Sequence, residues 1–513
     1  MTRVIKERTP QQLREDALAI WTAGVRAVNG YRLVTEQLVI DNDWLGVPEQ
    51  DLWIDLRRTR RILVAGAGKA SAAMACGVAQ VLSKGPAIRL AGHVQVPEEA
   101  NFANELGQVV GAFDLRAALG GEGVTAPLEP WLELHRVRPA GVNLVTAAAV
   151  AKSQELVEKL AALGPDDVCV FLLSGGASAL LSSPLPGLSF ENKNQVTRFL
   201  SSAGAPIEEL NVVRSALSRI KAGGLARQCR AGQLLTLIIS DVLGDPLESI
   251  GSGPTYVDGL KPEERAVRAL KVLKTYDPCR QGVPRVVYES LQQTMGMKSD
   301  ARDFRRSAGP FREGAFRECV ILGNTATAVD AAGIEAERRG YSHAMHVQAP
   351  GKPEFGAPSH SAELAGQHWA ELLSDMNRKP GPDCLITGGE SVVDLTGSTG
   401  TSCGGRNQHL GLAALQHWQN TANSDWRRDE ICFVSGGTDG EDGSTTVAGV
   451  CLSSELRERL ASSSLDAATY LAQKNSYHFF RQVGGLLLTG PTQTNVCDLR
   501  VGVVKQPSAS STR

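Results

Sequence analysis

Hydrophobic runs long enough to cross a bilayer are missing from this sequence. Spanning takes roughly 20 apolar residues, and the longest candidates, such as Leu234–Ile239, have the length of a strand. No membrane partner is expected. An excess of charge of one sign is missing too: 53 Lys and Arg stand against 55 Asp and Glu, a formal net charge of −2. That balance gives no electrostatic case for nucleic acid or an anionic membrane. A small anionic substrate needs only a local cluster of cations. The ten cysteines are scattered, without a C-x-x-C pair, which fits reduced thiols better than a disulfide framework or a zinc site. The opening MTRVIKERTPQQLRED has no apolar signal core and carries Glu7, Glu15 and Asp16, where a transit peptide would be poor in acids. A cytoplasmic protein is expected, with a mitochondrial one as the alternative.

What is present is enough for two globular domains: 513 residues, 42% hydrophobic and 21% charged. One theme recurs. A short β-branched apolar run ends in a Gly- or acid-rich loop, and a helix-like stretch often follows. Ile62–Val64 leads into GAGKAS, Val168–Leu173 into SGGASALL and Leu234–Ile239 into SDVLGDP. Further on, Cys319–Leu322 leads into GNTATAVDAAG, Cys384–Ile386 into TGGES and Ile431–Val434 into SGGTDGEDG. Apolar strands alternating with amphipathic helices indicate a parallel sheet covered on both faces. Ligands of such sheets sit beyond the carboxyl ends of the strands, so every one of these loops is a candidate site segment. The pattern lapses between Lys261 and Arg317, and the domain boundary is expected there. Residues 419–430 read as a loop within the second domain, and the tail KQPSASSTR as disordered.

Two standard phosphate motifs fail at Gly66-Ala67-Gly68-Lys69-Ala70-Ser71. A P-loop would need glycine at Leu63 and a hydroxyl residue at Ala70, and a dinucleotide fingerprint would need glycine at Ser71. A strand, a glycine turn and a helix start remain, an arrangement suited to an anion. Lys69 opposes the helix dipole there, so helix stability does not explain it. Ser174-Gly175-Gly176-Ala177-Ser178 has the same form, with glycines that permit close approach. Arg214 and Lys221 put cations near Gly223-Gly224. Asp241 and Asp245, Glu390, and Asp439 with Asp442 follow three different strands. Grouped carboxylates suit Mg²⁺, and one could take the proton of an attacking hydroxyl. TDGEDG lacks the register of an EF-hand loop. Gly404-Gly405-Arg406-Asn407-Gln408 offers a planar guanidinium and amides before a helix, and Thr489–Asn495 is rich in hydroxyls and amides. Read from these residues alone, the chain is a two-domain α/β enzyme for a small, phosphorylated anion, with its reaction open.

Taken in order, GAGKASAAMA, LSGGASALL, NVVRSALSRIKAGGLA, SDVLGDPLESIGSGPT, GGRNQ, SGGTDGEDG and TGPTQTNVCDL resemble the glycerate kinases that carry a MOFRL domain. The match runs from residue 15 to residue 500 and weakens over 256–318 and 350–382. The resemblance implies an N-terminal Rossmann-like domain over 12–300, with helices on both faces of a parallel sheet. It implies a C-terminal α/β domain over 315–505 that contains the MOFRL segment (383–500), and an active site in the cleft between the two. It further implies ATP and Mg²⁺, with D-glycerate as acceptor and 2-phosphoglycerate favoured over 3-phosphoglycerate. Lys69 and Arg406 stand where the family has residues thought essential. They would offset charge on the transferred phosphoryl group or hold the glycerate carboxylate, and Asp241 would join them in catalysis. Gly66, Gly68, Ser71, Ser174, Gly175, Gly176, Ser178, Arg214, Lys221, Asn407, Gly436, Gly437, Thr438, Thr492 and Asn495 would bind substrate or ATP. Asp241, Asp439 and Glu390 would hold the metal. A monomer or homodimer is expected. Three positions depart from the family's pattern: Ser215-Ala216 replace Lys-His, His409 replaces Glu, and Cys497 replaces Asn. The rival readings are a hydroxypyruvate reductase using NAD(P)H and a non-catalytic nucleotide-binding regulator.

Overall fold

A computed structural model describes residues 8–98, 111–119, 130–139, 144–296, 316–395, 402–421 and 430–506. Residues 507–513 of the tail, the polar run after residue 296 and most of the 419–430 loop fall outside those residues. The chain divides into two compact units, one of Gly30–Glu98 and Gly123–Leu322, the other of Met1–Asn29, Glu99–Glu122 and Gly323–Arg513.

The first unit is built on a six-stranded sheet in the order Phe316–Gly323, Gln233–Ile239, Asp167–Ser174, Arg61–Ala67, Arg89–Pro97, Leu134–Arg138. The strands from Gln233–Ile239 to Leu134–Arg138 pair in parallel. Their apolar runs are buried end to end, as a sheet covered on both faces requires. Leu63, Ala65, Cys169 and Phe171 share a core with Ala149, Leu156 and Leu160 of the Ala147–Ala161 helix. The Ser71–Leu82 helix packs on the same strands. Ala67 pairs with Leu173, and Leu173 with Ile238. The three strands therefore end level, and the loops after them leave side by side from one edge. A helical group comprising Phe190–Ser202, Ile207–Ala216, Pro262–Tyr276 and Arg285–Gly296 has a core of its own around Val196, Leu200, Val213, Leu273 and Leu291. A small antiparallel sheet, Val39–Asp41, Trp44–Val47 and Leu52–Asp55, completes the unit.

The second unit departs from the parallel expectation. Its sheet runs His343–Val347, Cys384–Gly389, Asp498–Val504, Ile431–Gly437, Gly449–Leu452, Leu486–Leu488, Phe113–Asp114. Only the outermost pairs are parallel. The last long strand enters between Cys384–Gly389 and Ile431–Gly437 and is antiparallel to both. Its first residue, Asp498, therefore lies opposite Gly389 and Gly437, at the edge where the neighbouring strands end.

The division along the chain also differs from the expected 12–300 and 315–505. The Pro10–Ala27 helix belongs to the second unit, because its apolar stripe (Leu13, Ala17, Ile20, Trp21) packs with Val434, Leu499 and Val501. Trp21 Nε1 donates to the Leu499 carbonyl at 2.9 Å. The Phe316–Gly323 strand completes the first unit's sheet instead of opening the second. A strand finds its neighbours through long-range pairing, which local periodicity does not encode.

Candidate functional site

In the first unit, Gly68 allows the GAGKAS turn to form. Its φ is +142°, and a Cβ there would lie 2.0 Å from the Ser174 hydroxyl oxygen. That hydroxyl accepts from Ala70 N at 3.0 Å and lies 3.5 Å from the Ser71 hydroxyl. Lys69 N donates to the Gly175 carbonyl at 2.9 Å. The two glycine turns are thus stitched together at the sheet edge. Gly66 answers a packing demand, since a Cβ would meet the Leu172 carbonyl at 2.2 Å. Gly176 is left-handed (φ +81°), with Lys69 Cγ 3.5 Å from where its Cβ would be. The half-buried Lys69 side chain therefore runs along the second turn. No side chain caps the helix that starts at Ser71. Asp241 is half-buried just past the third strand.

Beyond the second turn, Ser178 gathers cations. Its hydroxyl oxygen lies 2.7 Å from Arg214 Nη2, 2.5 Å from Lys221 Nζ and 3.3 Å from the Ser252 hydroxyl. Lys221 Nζ also donates to Ser252 at 2.9 Å. Burial, with repulsion from Arg214 and Lys193, pushes the Lys221 ammonium well below the usual lysine range. Lys193 is a residue the sequence reading missed. It sits on the buried stripe of its helix with Val196 and Leu200, a charge at a position that periodicity assigns to an apolar residue. That break in the pattern is the signal that could have found it. Burial first, then Arg214, lowers its pKa to about 7.

His93 and His135, on two adjacent strands, and Glu133, just before the second of them, bring ligand atoms within 4.8 Å of one another. The imidazoles already satisfy each other: His93 Nε2 lies 3.0 Å from the Lys152 carbonyl and His135 Nε2 lies 3.1 Å from His93 Nδ1. Glu133 pairs with Lys159 at 2.8 Å.

The second unit builds its site around Arg406. Its Nε donates to Asp498 Oδ2 at 2.7 Å and its Nη1 to Glu390. Both acids are at the sheet edge because the Asp498–Val504 strand begins where the Cys384–Gly389 strand ends. Asp498 is fully buried and also accepts from Arg500 Nη2 and Asn407 Nδ2, each at 3.0 Å. Burial works to raise its carboxyl, and the guanidiniums of Arg406 and Arg500 outweigh it, holding the pKa below the usual range. Arg406 keeps 33% of its side chain exposed. The sequence named Arg406 and Glu390 but not the carboxylate that fixes them.

The helix start after Arg406 is occupied from within. Asp442 accepts from Asn407 N at 3.0 Å and Gln408 N at 2.8 Å. It can do so because residue 405 is glycine, where a Cβ would sit 2.3 Å from the Asp442 carboxyl carbon. Burial raises Asp442 to about 6 against those two donors. Asn407 is fully buried and bonds Asp442, Asp498 and Ser435. The Thr438 hydroxyl donates to the Cys497 carbonyl at 2.7 Å and accepts from Val496 N at 2.8 Å. Thr492 donates to the Thr438 carbonyl at 2.5 Å, and Asn495 Oδ1 accepts from Cys497 N at 3.3 Å. These four side chains brace the loops around Arg406. Gly436 leaves room for Trp21, and Gly437 for the Glu441 carbonyl. Asp439 Oδ1 accepts from Glu441 N at 3.0 Å. Cys497 has φ +69°, a left-handed conformation that asparagine adopts more readily. That gives the asparagine of the resembling family at this place a backbone reason. His409 is buried, and desolvation lowers its pKa to about 4.

The predicted residues thus fall into two groups. Gly66 to Ser71, Ser174 to Ser178, Arg214, Lys221 and Asp241 lie in the first unit. Glu390, Arg406, Asn407, Gly436 to Asp439, Thr492 and Asn495 lie in the second. All ten cysteines are unbridged, and no described helix is long and apolar enough to cross a membrane.

Comparison with known proteins places this arrangement. Residues 16–292 match a family model described as a domain of unknown function, DUF4147, and residues 383–498 match the MOFRL family. The chain is 32% identical to a glycerate kinase of Homo sapiens over 95% of this chain and 92% of that protein. It is 32% identical to a D-glycerate 2-kinase of Thermotoga maritima over 71% of this chain and 79% of that protein. The crystal structure of a glycerate kinase from Thermotoga maritima superposes with a TM-score of 0.67 at 28% identity, covering 96% of this chain and all of that one.

Proposed function

The chain belongs to the glycerate kinase family that carries the MOFRL domain, and from that premise we propose that it transfers the terminal phosphate of ATP to D-glycerate, giving 2-phosphoglycerate. The observation that carries the reading is the level edge of the first unit's sheet, where Lys69, the Gly175-Gly176 turn and Asp241 leave three adjacent parallel strands. The name of the Thermotoga relative supports the 2-hydroxyl as acceptor.

The residues suit the ligands this reaction needs. Gly68 and Gly176 hold backbone conformations, φ +142° and +81°, that side chains rarely adopt, and they shape turns whose N–H groups suit phosphate oxygens. Asp241 in one unit, and Asp439 and Glu390 in the other, are hard oxygen donors of the kind Mg²⁺ takes. Glu390 has one oxygen engaged by Arg406. A bound Mg²⁺ would neutralise phosphate charge. Phosphoryl transfer is mostly positioning and charge neutralisation. Lys69 supplies a cation at the glycine turns, and Arg406 supplies one held in place by two carboxylates. Asp241 orients the attacking hydroxyl and receives its proton.

The test is purified protein with D-glycerate, ATP and Mg²⁺ in an ADP-coupled assay, with phosphorus NMR of the product. ADP release that depends on D-glycerate, is abolished by EDTA and returns with Mg²⁺ is expected, with 2-phosphoglycerate formed. Formation of 3-phosphoglycerate would reassign the acceptor hydroxyl. Absence of ADP release would overturn the reading.

A further inference from the structure

The buried Lys193 and Lys221 and the half-buried Arg214 form a group of cations in the first unit, and among the described residues no acid accompanies them. Lys193 is 7% and Lys221 4% exposed. Lys193 Nζ has no hydrogen-bond partner. Among the described residues Arg214 bonds only the neutral side chains of Ser178 and Asn211, and Lys221 only Ser178 and Ser252. Among the described residues none of the three enters an ion pair. The charges that act on Lys193 and Lys221 are the other members of the group.

Isolated charges are almost never buried without a partner, because desolvation costs several kcal/mol per ion. A cluster that folding leaves unneutralised is therefore completed by something from outside. Its depth limits what that can be. The Nζ of Lys221 lies between two serine hydroxyls, and Ser252 is 4% exposed. A partner at that depth would be the anionic end of a small molecule, with its other atoms toward the sheet edge that carries Ser178 and the glycine turns.

We propose that Lys193, Arg214 and Lys221, with the hydroxyls of Ser178 and Ser252, form the pocket for the carboxylate of the acceptor, a small hydroxy acid. The proposal rests on the kinase reading and deepens it. Lys69 is then released for the phosphoryl group, a division the sequence left open. A carboxylate accepts through two oxygens, which matches ammonium and guanidinium donors converging on one pair of hydroxyls. The same donors would take phosphate oxygens, so the experiment separates the two sources.

The variant is Lys193→Met, which keeps length and bulk and removes the charge. Isothermal titration of D-glycerate without nucleotide should show at least about tenfold weaker binding in the variant, while ATP binding changes by less than about twofold. A fold loss of ten corresponds to about 1.4 kcal/mol. The variant should also melt higher than wild type, a gain that damage to the fold would not produce. If ATP or inorganic phosphate binding falls instead, the pocket belongs to the phosphates and the carboxylate assignment is overturned. If D-glycerate binds both proteins alike, the pocket is not the acceptor's. In wild type alone, D-glycerate should raise the melting temperature where glycerol at the same concentration does not; equal shifts would also overturn the proposal. Failure of the kinase reading looks different, since wild-type protein would then release no ADP with D-glycerate and ATP.

Discussion

The cation clusters of the two units, around Arg406 and around Ser178, are neutralised in opposite ways. In the second, Arg406 is paired with Asp498 and Glu390, and the fully buried Arg500 with Asp498 and Glu354. The helix that starts at Arg406 has its first N–H groups taken by Asp442. In the first, Lys193, Arg214 and Lys221 gather without an acid, and no side chain caps the helix after Lys69. The difference teaches where each site expects its negative charge. Around Arg406 the protein supplies it, so the guanidinium is an aimed tool with its geometry fixed before any ligand arrives. Around Ser178 the protein withholds it, so the ligand completes the electrostatics.

The largest effect is expected at the first unit's sheet edge, from Lys69→Ala. Removing one preorganised charge partner of a developing anion costs on the order of 3 kcal/mol of transition-state energy, so turnover should fall about a hundredfold with the melting curve unchanged. Near-normal turnover would detach Lys69 from the reacting phosphate. In the second unit the matching experiment is Asp498→Asn. It leaves Arg500 fully buried with one carboxylate in place of two and loosens Arg406. Breaking a buried pair from one side costs about 3–5 kcal/mol. Chemical denaturation should show a loss near the lower figure, because Glu354 and Ser391 still bond Arg500. An unchanged midpoint would mean the acids do not hold the guanidiniums.

Arg406→Lys asks whether the fork matters beyond its charge. Arg406 uses two different nitrogens on two different acids, and a lysine ammonium on a flexible stem cannot reproduce that geometry. Turnover should fall by roughly tenfold or more, equivalent to about 1.4 kcal/mol. A variant that melts early but turns over normally would remove Arg406 from the catalytic set and leave it a brace.

The parts of this site that could be read in the sequence are those written locally. Strand runs such as Val168–Leu173 and glycine turns such as Gly66–Ser71 announce themselves by composition and lie where expected. What escaped depends on partners far along the chain. Nothing within TNVCDL says that Asp498 will face Gly389 across an antiparallel pair, or that Asp442 will reach the helix start at Asn407. The Pro10–Ala27 helix looks like the opening of the first unit until its stripe meets Leu499. Lys193 escaped for a different reason. A lysine on a helix is ordinarily solvated, and only the burial of Val196 and Leu200 on the same stripe marks it as core-facing.

The smallest expected effect tests the second half of the contrast through pH. The Lys193 pKa is lowered to about 7 by burial and by Arg214, whereas an unfolded chain holds its lysine protons to about 10.4. Between those values the unfolded state binds a proton that the folded state does not, so this group makes stability rise with pH across the window. Below about 7 the folded state carries the full cost of a buried, unpaired ammonium. Arg214 and Lys221 are the charged groups that act on this group of cations, and both are present in wild type and variant alike. The melting temperature of Lys193→Met minus that of wild type therefore reports Lys193 together with its repulsion of Lys221. That difference should be positive at pH 6.5 and shrink by pH 9, where deprotonating the wild-type lysine on folding costs less than it does at pH 7. Saturating D-glycerate should raise wild type more than the variant, because the bound carboxylate supplies the missing partner and restores the lysine's charge. A difference that stays constant with pH and is indifferent to D-glycerate would mean that Lys193 is already neutralised within the protein. The cluster around Ser178 would then be neutralised from within, as the one around Arg406 is.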